Sequence, residues 1–323
     1  MKTKLACAAL ATLSTAPAFA SADTWPTKPV HIIVPFAPGG GVDILTRAVM
    51  AELGKRWNQP VVIENRGGAG SLIGAGAVAK APADGYTLLA TISQTVVNNR
   101  FLYKSLPYDP DKSFEPITMM VNSDQMIVAN ANFEGNSLKD IIEAAKKKGS
   151  RLSYGSFGTG SAPHLLFESL NEKEGLDILH VPYKGVTPML TAIAAGEVMF
   201  GTGSVAVATP LMDAGKIKPI TVAGAERIKQ LKDVSTSTEQ GYPYLQASLW
   251  YGLFAPAGTP EAIVNKIQSA VDSVLSDPAF VEQHVTAKGL DVISSKPADF
   301  RKFIQEDVTR TAEQIKAAGV TPE

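Results

Sequence analysis

Residues 30–53 read VHIIVPFAPGGGVDILTRAVMAEL, and the order of side-chain types in them sets the reading of the whole chain. Val30–Pro35 is a short apolar, β-branched run, as expected of a strand buried on both faces. Prolines and glycines from Pro35 to Gly41 then punctuate it. Val42, Leu45, Val49 and Leu53 follow at helical spacing. A strand, a glycine loop and a helix predict a βα unit, and in open α/β sheets ligands sit at the carboxyl ends of such strands.

The pattern recurs outward from there. Val61–Glu64 reads as a strand, and Gly67-Gly68-Ala69-Gly70 leads into a helix of small residues ending near Lys80. Asp84-Gly85 turns the chain into a strand over Tyr86–Ile92. Met126–Ala129, Leu152–Gly155, Ile178–Tyr183 and Val198–Gly201 are further strands. Ser137 with Asp140 opens a helix through a capping box, Ile141, Ile142 and Ala145 give its apolar face, and Gly149 is the expected stop. The last third reads as mostly helical. Helices open at Thr259-Pro260, at Asp277-Pro278 (ending at Gly289) and at Pro297, the last carrying Phe300, Phe303, Ile304, Val308 and Ile315 on one face. This alternation predicts an α/β fold with a parallel or mixed sheet in each of two lobes.

Length supports two lobes. The chain has 323 residues. Its first twenty carry Lys2 and Lys4, an apolar stretch over Leu5–Leu13, and Ala18-Phe19-Ala20, the three parts of an export signal. Residues 1–20 are therefore expected to be a signal peptide, cleaved after Ala20 or, second, after Ala22, with a periplasmic destination. The apolar stretch is too short to span a bilayer. The roughly 300 residues left exceed one comfortable core. The division expected is 24–122 plus 224–323 for one lobe and 123–223 for the other.

Composition excludes several classes of function. The 30 basic and 31 acidic residues nearly balance, and no basic stripe points to nucleic acid. The single cysteine, Cys7, lies in the signal, which leaves no disulfide, Cys nucleophile or Cys-ligated metal. None of the four histidines pairs at metal-ligand spacing, and no nucleophile elbow is present. No metal and no cofactor are expected.

Three loops remain for binding. Pro35–Gly41 brings Phe36, Ala37 and Gly40 to a helix start, where free N–H groups attract anions. The same glycines also suit a tight turn needing their geometry alone. Gly155–Ser161 offers Ser156, Thr159, Gly160 and Ser161 at a second helix start, with His164 one turn on. It lacks the Lys of a P-loop and the spacing of a dinucleotide fingerprint, so a small anion fits better than a nucleotide. Ser93-Gln94-Thr95 is a polar tripeptide that serves either to orient a ligand or as a helix cap. Phe36 and Phe157 fit an apolar middle of a ligand and equally fit packing. His31 and His180, in strands, read as structural.

On these loops and their surroundings the chain resembles the Bug-type extracytoplasmic receptors of tripartite tricarboxylate transporters. The resemblance runs through Trp25–Val30, Val34–Gly40, Val62–Gly70, Ala83–Leu88, Leu106–Asp109, Val181–Gly185, Ala214–Lys216 and Trp250–Pro260. It implies two lobes closing on a ligand like a flytrap, with backbone amides and hydroxyls doing much of the recognition. It implies ligand contacts at Phe36, Ala37, Gly40, Ser93, Ser156, Thr159, Gly160, Ser161 and His164, and less strongly at Tyr183 and Lys184; Gln94 joins them as part of its tripeptide. Many such receptors carry Asp after Gly196-Glu197-Val198. Here the chain reads Met199-Phe200-Gly201-Thr202-Gly203-Ser204, so a cationic amine would lack its partner and Ser204 would offer a hydroxyl instead. The function expected is capture of a small organic carboxylate (a di- or tricarboxylate or an aromatic acid) for integral-membrane transporter subunits. Two alternatives stay open: a periplasmic enzyme on a similar acid, with His164 as its base, and a sensory receptor presenting the acid to a signalling partner.

Protein recovered from a periplasmic fraction is expected to begin at Ser21 or Asp23. Its intact mass reads this directly, and a retained Met1 overturns it.

Overall fold

The computed structural model describes residues 24–224, 226–317 and 319–320; the expected signal peptide, its cleavage site and Cys7 lie outside the described residues. The elements run β1 (Val30–Val34), α1 (Gly41–Trp57), β2 (Val61–Asn65), α2 (Leu72–Ala79), β3 (Thr87–Ile92), a π-helical turn (Gln94–Asn98), α3 (Asn99–Leu102), β4 (Phe114–Asp124) and β5 (Met126–Asn130). They continue with α4 (Leu138–Lys146), β6 (Ser153–Ser156), α5 (Ala162–Glu174), β7 (Leu179–Pro182), α6 (Val186–Ala195), β8 (Phe200–Gly203), α7 (Val205–Asp213) and β9 (Ile217–Val222). The chain ends with β10 (Ser248–Pro256), α8 (Glu261–Leu275), α9 (Pro278–His284), β11 (Leu290–Val292) and α10 (Pro297–Ala317).

The strands form two sheets, ordered β11-β4-β10-β3-β1-β2 and β7-β6-β8-β5-β9. Both are mixed. The βα units supply the parallel pairs β1–β2, β1–β3, β6–β7 and β6–β8. The antiparallel pairings are β10 with β3 and β4, and β11 with β4, in the first sheet, and β5 with β8 and β9 in the second. β4 continues through the single residue Gln125 into β5, and β10 pairs with β4 over most of its length. Residues 236–247 fold onto the second sheet, where Leu245 and Ala247 join its core, before the chain re-enters the first at Ser248. At the crossing the segments pair by backbone: Gln125 N–H donates to Ala247 O (3.3 Å), Ala247 N–H to Ala223 O (2.9 Å) and Ala223 N–H to Gln125 O (2.8 Å).

Each sheet is covered on both faces, which explains its apolar strands. On the first, α1 and α8 bury Leu45, Val49, Leu53, Ile263, Ile267 and Val271 on one side. On the other, α2 and α10 bury Ala75, Val78, Phe300 and Ile304 with Trp250 and Phe254. The second sheet carries α4 and α5 on one face and α6 and α7 on the other. The capping box of α4 is present, Ser137 accepting from Asp140 N–H. The helix ends earlier than expected, however: Lys147 is already extended, three residues after Ala144, whose carbonyl still accepts from it. Gly149 follows in the turn with φ +83°.

Among the elements that were not expected, which include β9, β11, α3, α6 and α7, are the crossing strands β4 and β10. Read alone, β4 has no clean period, because it is buried on both sides for nearly its whole length. On β10, a Cβ at Gly252 would lie 2.6 Å from Phe300 Cζ and 3.0 Å from Phe254 Cε2, so α10 packs directly on the strand there. Gly252→Ala is expected to cost about 1–3 kcal/mol through overpacking, read as a lowered urea midpoint. An unchanged midpoint would mean that α10 does not bear on the strand at this point.

Candidate ligand-binding cleft between the lobes

The carboxyl ends of β1 and β2 in the first lobe face those of β6 and β7 in the second, and the loops beyond them meet. The loop from β1 to α1 is held by Asp43, in the first turn of α1. Asp43 Oδ2 accepts from Gly39 N–H (2.9 Å) and Arg47 Nε (3.0 Å), and Oδ1 accepts from Asn65 Nδ2 (2.9 Å). Asn65 also donates to Phe36 O (3.1 Å). Burial disfavours the charged form of Asp43, but the bonds from Arg47, Gly39 and Asn65 outweigh it and hold the carboxyl below its ordinary range. The loop is thus fixed from behind, and the start of α1 is left open in front: Gly40 is its N-cap and supplies no capping side chain. The first amides of a helix have no partner within it.

Two chambers lie in this cleft. The inner one, of about 40 Å³, is lined by Phe36, Ala37, Gly40, Gly41, Val42, Ile92, Gln125, Phe157, Val186, Ser204, Val207, Leu249 and Tyr251. A space of that size holds roughly three waters or one small polar group. The starts of α1, α6 and α7 all border it, and none of the three has a side-chain cap. The outer chamber, of about 220 Å³, is lined by Pro35, Phe36, residues 68–71, Tyr103, Phe157, Gly158, Thr159, Pro182, Tyr183 and Lys184. Phe36 and Phe157 belong to both and form the partition. No Asp or Glu lines either chamber. The inner wall is close-fitting, since a Cβ at Gly41 would lie 2.3 Å from Tyr251 Oη and one at Gly40 3.3 Å from Val186 Cγ1 across the lobes.

Sequence reasoning placed several of these residues in the cleft. Phe36, Ala37, Gly40 and Ser204 line the inner chamber, and Phe36, Thr159 and Tyr183 the outer one. Ser93 lies elsewhere, on a groove of about 690 Å³ between α5 and α10, behind the crossing strands. Gln94, Ser156, Gly160, Ser161 and His164 line neither chamber and hold the second loop in shape. Ser156 Oγ accepts from Gly158 N–H (3.1 Å) and contacts His180 Nε2 (2.6 Å), and Ser161 Oγ donates to Gly158 O (2.6 Å). Gln94 Nε2 reaches Thr159 O at 3.5 Å and Asn98 Nδ2 donates to Gly160 O at 3.0 Å, both across the lobes.

Three contributions went unread in the sequence: Gln125 and Tyr251, which come from the crossing strands, and the turn at residues 69–71. Ala69, Gly70 and Ser71 all have positive φ, at 45°, 59° and 81°. Two of the three are not glycine, and each such residue costs on the order of 1–3 kcal/mol. The π-helical turn and α3 hold them there, through Thr95 Oγ1 to Ser71 Oγ (2.8 Å), Asn99 Nδ2 to Gly70 O (2.9 Å) and Asn99 Nδ2 to Ser71 Oγ (3.2 Å). The signal available was the Gly67-Gly68-Ala69-Gly70 string, read in sequence as an approach to a helix and as part of the family resemblance, without a ligand contact.

His164 is buried; its Nδ1 accepts from Gly160 N–H (2.7 Å) and its ring stacks on His180 at 4.1 Å. Burial lowers its pKa from 6.5 to about 4, so the neutral ring is the folded form. A histidine with a lowered folded value binds its proton more readily when unfolded. Its contribution is complete above pH 6.5 and is lost as pH falls toward 4, roughly 3 kcal/mol in all. In urea unfolding between pH 7 and 4, His164→Gln is expected to lose less stability than wild type by about that amount. Equal losses in the two proteins would mean that His164 titrates as it does in the unfolded chain.

Among the described residues no helix is long and apolar enough to cross a membrane, and no three His, Cys, Asp or Glu side chains group as a metal site. The fold is shared along nearly the whole chain with solved periplasmic receptors. Periplasmic binding protein BugD is 32% identical, with a TM-score of 0.87 over 93% of this chain and 100% of that one. An R. palustris protein solved with adipate is 32% identical, with a TM-score of 0.89 and the same coverage. MatC from Rhodopseudomonas palustris with bound malate is 32% identical, with a TM-score of 0.84 over 90% of this chain and 100% of that one. The sequence model described as the tripartite tricarboxylate transporter family receptor matches residues 45–320, and the chain belongs to that family of periplasmic solute-binding receptors.

Proposed function

We propose that the cleft captures a small organic carboxylate and that the loaded receptor delivers it to integral-membrane transporter subunits. One observation carries the choice of an anion: uncapped starts of α1, α6 and α7 border the inner chamber, and no carboxylate side chain lines it or the outer one. Backbone amides at helix starts favour negative charge. A cationic amine would find no counter-charge in these walls. The inner chamber admits a carboxylate head and the outer one the body of the ligand, past Phe36 and Phe157. The two solved relatives with named ligands hold adipate and malate, both dicarboxylates, which supports a dicarboxylate over a tricarboxylate or an aromatic acid.

The binding loops come from both lobes, drawn in sequence as 24–122 plus 224–323 and 123–223. The ligand's preference for the closed form sets how far closure proceeds. The protein acts as a receptor and performs no chemistry on its ligand. His164, the base an enzyme would need, spends its Nδ1 on the Gly160 amide.

A thermal-shift screen across organic acids identifies the ligand, since one present at 100 times its Kd stabilises by about 2.7 kcal/mol. Gly40→Asp then tests the site. The new side chain would start 3.3 Å from Val186 Cγ1 and 3.8 Å from Ala37 O, placing bulk and negative charge at the start of α1. Loss of calorimetric binding with an unchanged circular dichroism spectrum is expected. Wild-type affinity in the folded variant would remove the first loop from the carboxylate site, and turnover of the acid would replace the receptor reading with an enzymatic one.

A further inference from the structure

The π-helical turn and α3 carry the first lobe against the second outside both chambers. α3 is a single turn, and its side chains pin it. Asn99 Nδ2 donates to Gly70 O, Ser71 Oγ and Tyr108 Oη, while Arg100 donates to Val96 O and to the Asp111 carboxylate. Held in this way, α3 presents Leu102, which is wholly buried. Its partner in the other lobe is Gly160, where a Cβ would lie 1.9 Å from Leu102 Cδ1 and 2.4 Å from Cδ2. Leu102 thus fills the space that a side chain at residue 160 would take, and the bond from Asn98 Nδ2 to Gly160 O fixes the register beside it. Leu165, in the first turn of α5, and Ile315, near the end of α10, complete a buried apolar cluster with Leu102. One lobe supplies Leu102 and Ile315, the other Leu165. None of the three lines either chamber.

We propose that Leu102 is an interlobe latch, a positioning residue that sets the balance between closed and open receptor without touching the ligand. Parting the lobes at this point lifts Leu102 from Gly160 and Leu165. That returns apolar surface to water, an unfavourable step whatever the chambers hold. The neighbouring polar bonds behave differently. Gln94 and Asn98 exchange their partners for water on opening, at little net cost, so the apolar cluster carries the bias toward the closed form. A ligand bound by that form is held more tightly in proportion to the fraction of receptor that is closed. This rests on the receptor reading above only in that the lobes close on a ligand, and its first test needs no ligand.

Small-angle scattering without added acid compares wild type with Leu102→Ala, Leu102→Met and Ile315→Ala. Leu170→Ala is the control, the same truncation inside the core of the second lobe alone. Leu102→Ala and Ile315→Ala are expected to raise the radius of gyration, and Leu102→Met, which keeps the apolar bulk, to hold the wild-type value. Leu170→Ala should lower the urea midpoint at the wild-type radius. Calorimetry with adipate and with malate then reads the effect on binding. Leu102→Ala is expected to weaken an acid that wild type binds by about tenfold or more, with Leu102→Met within about threefold. If circular dichroism shows Leu102→Ala unfolded, Ile315→Ala decides in its place. An unchanged radius in the folded truncation, an equal expansion in Leu170→Ala, or an unchanged affinity for the bound acid overturns the latch. Wild type binding neither acid counts against the dicarboxylate reading and leaves the scattering to decide the latch.

Discussion

The helices that start at the cleft leave their first amides uncapped, and the architecture of the site follows from that. A helix start carries N–H groups with no partner inside the helix, and a Ser, Thr, Asn or Asp side chain commonly satisfies one of them. Two helices away from the cleft use such caps, Ser137 on α4 and Asp277 on α9, while α8 starts at Pro260 without one. At the cleft the helices do not. Gly40 and Gly185 precede α1 and α6 with no side chain to give, and Ser161 and Ser204 precede α5 and α7 without capping them. Glycine also permits the approach of the opposite wall, because a Cβ at Gly41 would run into the Tyr251 hydroxyl. The amides therefore stay available, and the walls stay close enough to exclude water around them.

Such an arrangement needs its loops held from outside, since their own side chains are absent or small. In the first lobe Asp43 and Asn65 hold residues 36–39 from behind. In the second, Ser156, Ser161 and His164 close the 156–161 loop on itself. The π-helical turn joins the two systems. Thr95 buttresses the left-handed turn of its own lobe, while Gln94 and Asn98 reach carbonyls of the other. The bonds across the cleft come from side chains, Gln94 to Thr159 O (3.5 Å), Asn98 to Gly160 O (3.0 Å) and Thr187 to Pro38 O (3.4 Å), and among the described residues Gln94 Oε1 is buried without a partner. An unsatisfied buried acceptor costs about 1–3 kcal/mol. The side-chain contacts across the cleft are thus weak beside the backbone pairing of Gln125, Ala223 and Ala247.

The sequence made the repeating units legible and left the joints obscure. Val30–Leu53 announces a strand, a loop and a helix because period and punctuation are local properties, and Gly40 was placed at a binding loop by that rule, whereas Ser204 came from comparison with the family's pattern. β4 and β10 escaped because a strand buried on both faces has no alternation, and what makes them strands is pairing with each other across more than a hundred residues. Tyr251 and Gln125 escaped with them. His164 was read as a ligand contact from its place one turn into α5. In the folded chain its ring turns back to the Gly160 amide, a choice between two nearby partners that spacing does not decide. Ser93 follows β3 directly, as expected. The π-helical turn then carries the chain on with one extra residue per turn, and Ser93 faces the groove on the far side.

Binding an anion through amides has a consequence for selectivity. Helix-start amides carry partial charges fixed in direction, so they reward a carboxylate placed along their axes and give little to a misplaced one. A lysine ammonium is a compact point charge on a flexible stem and tolerates many geometries. The inner chamber, with no cation in its wall and room for one small group, is therefore suited to fixing the head of a ligand. The outer chamber is five times larger, with Lys184 at its edge, and is suited to accepting bodies of different length. On the proposed reading, the first carboxylate is read by geometry and the rest of the molecule by volume and charge. Changes confined to the outer wall can then retune the ligand while the inner one, bound to the backbone of three helices, stays as it is.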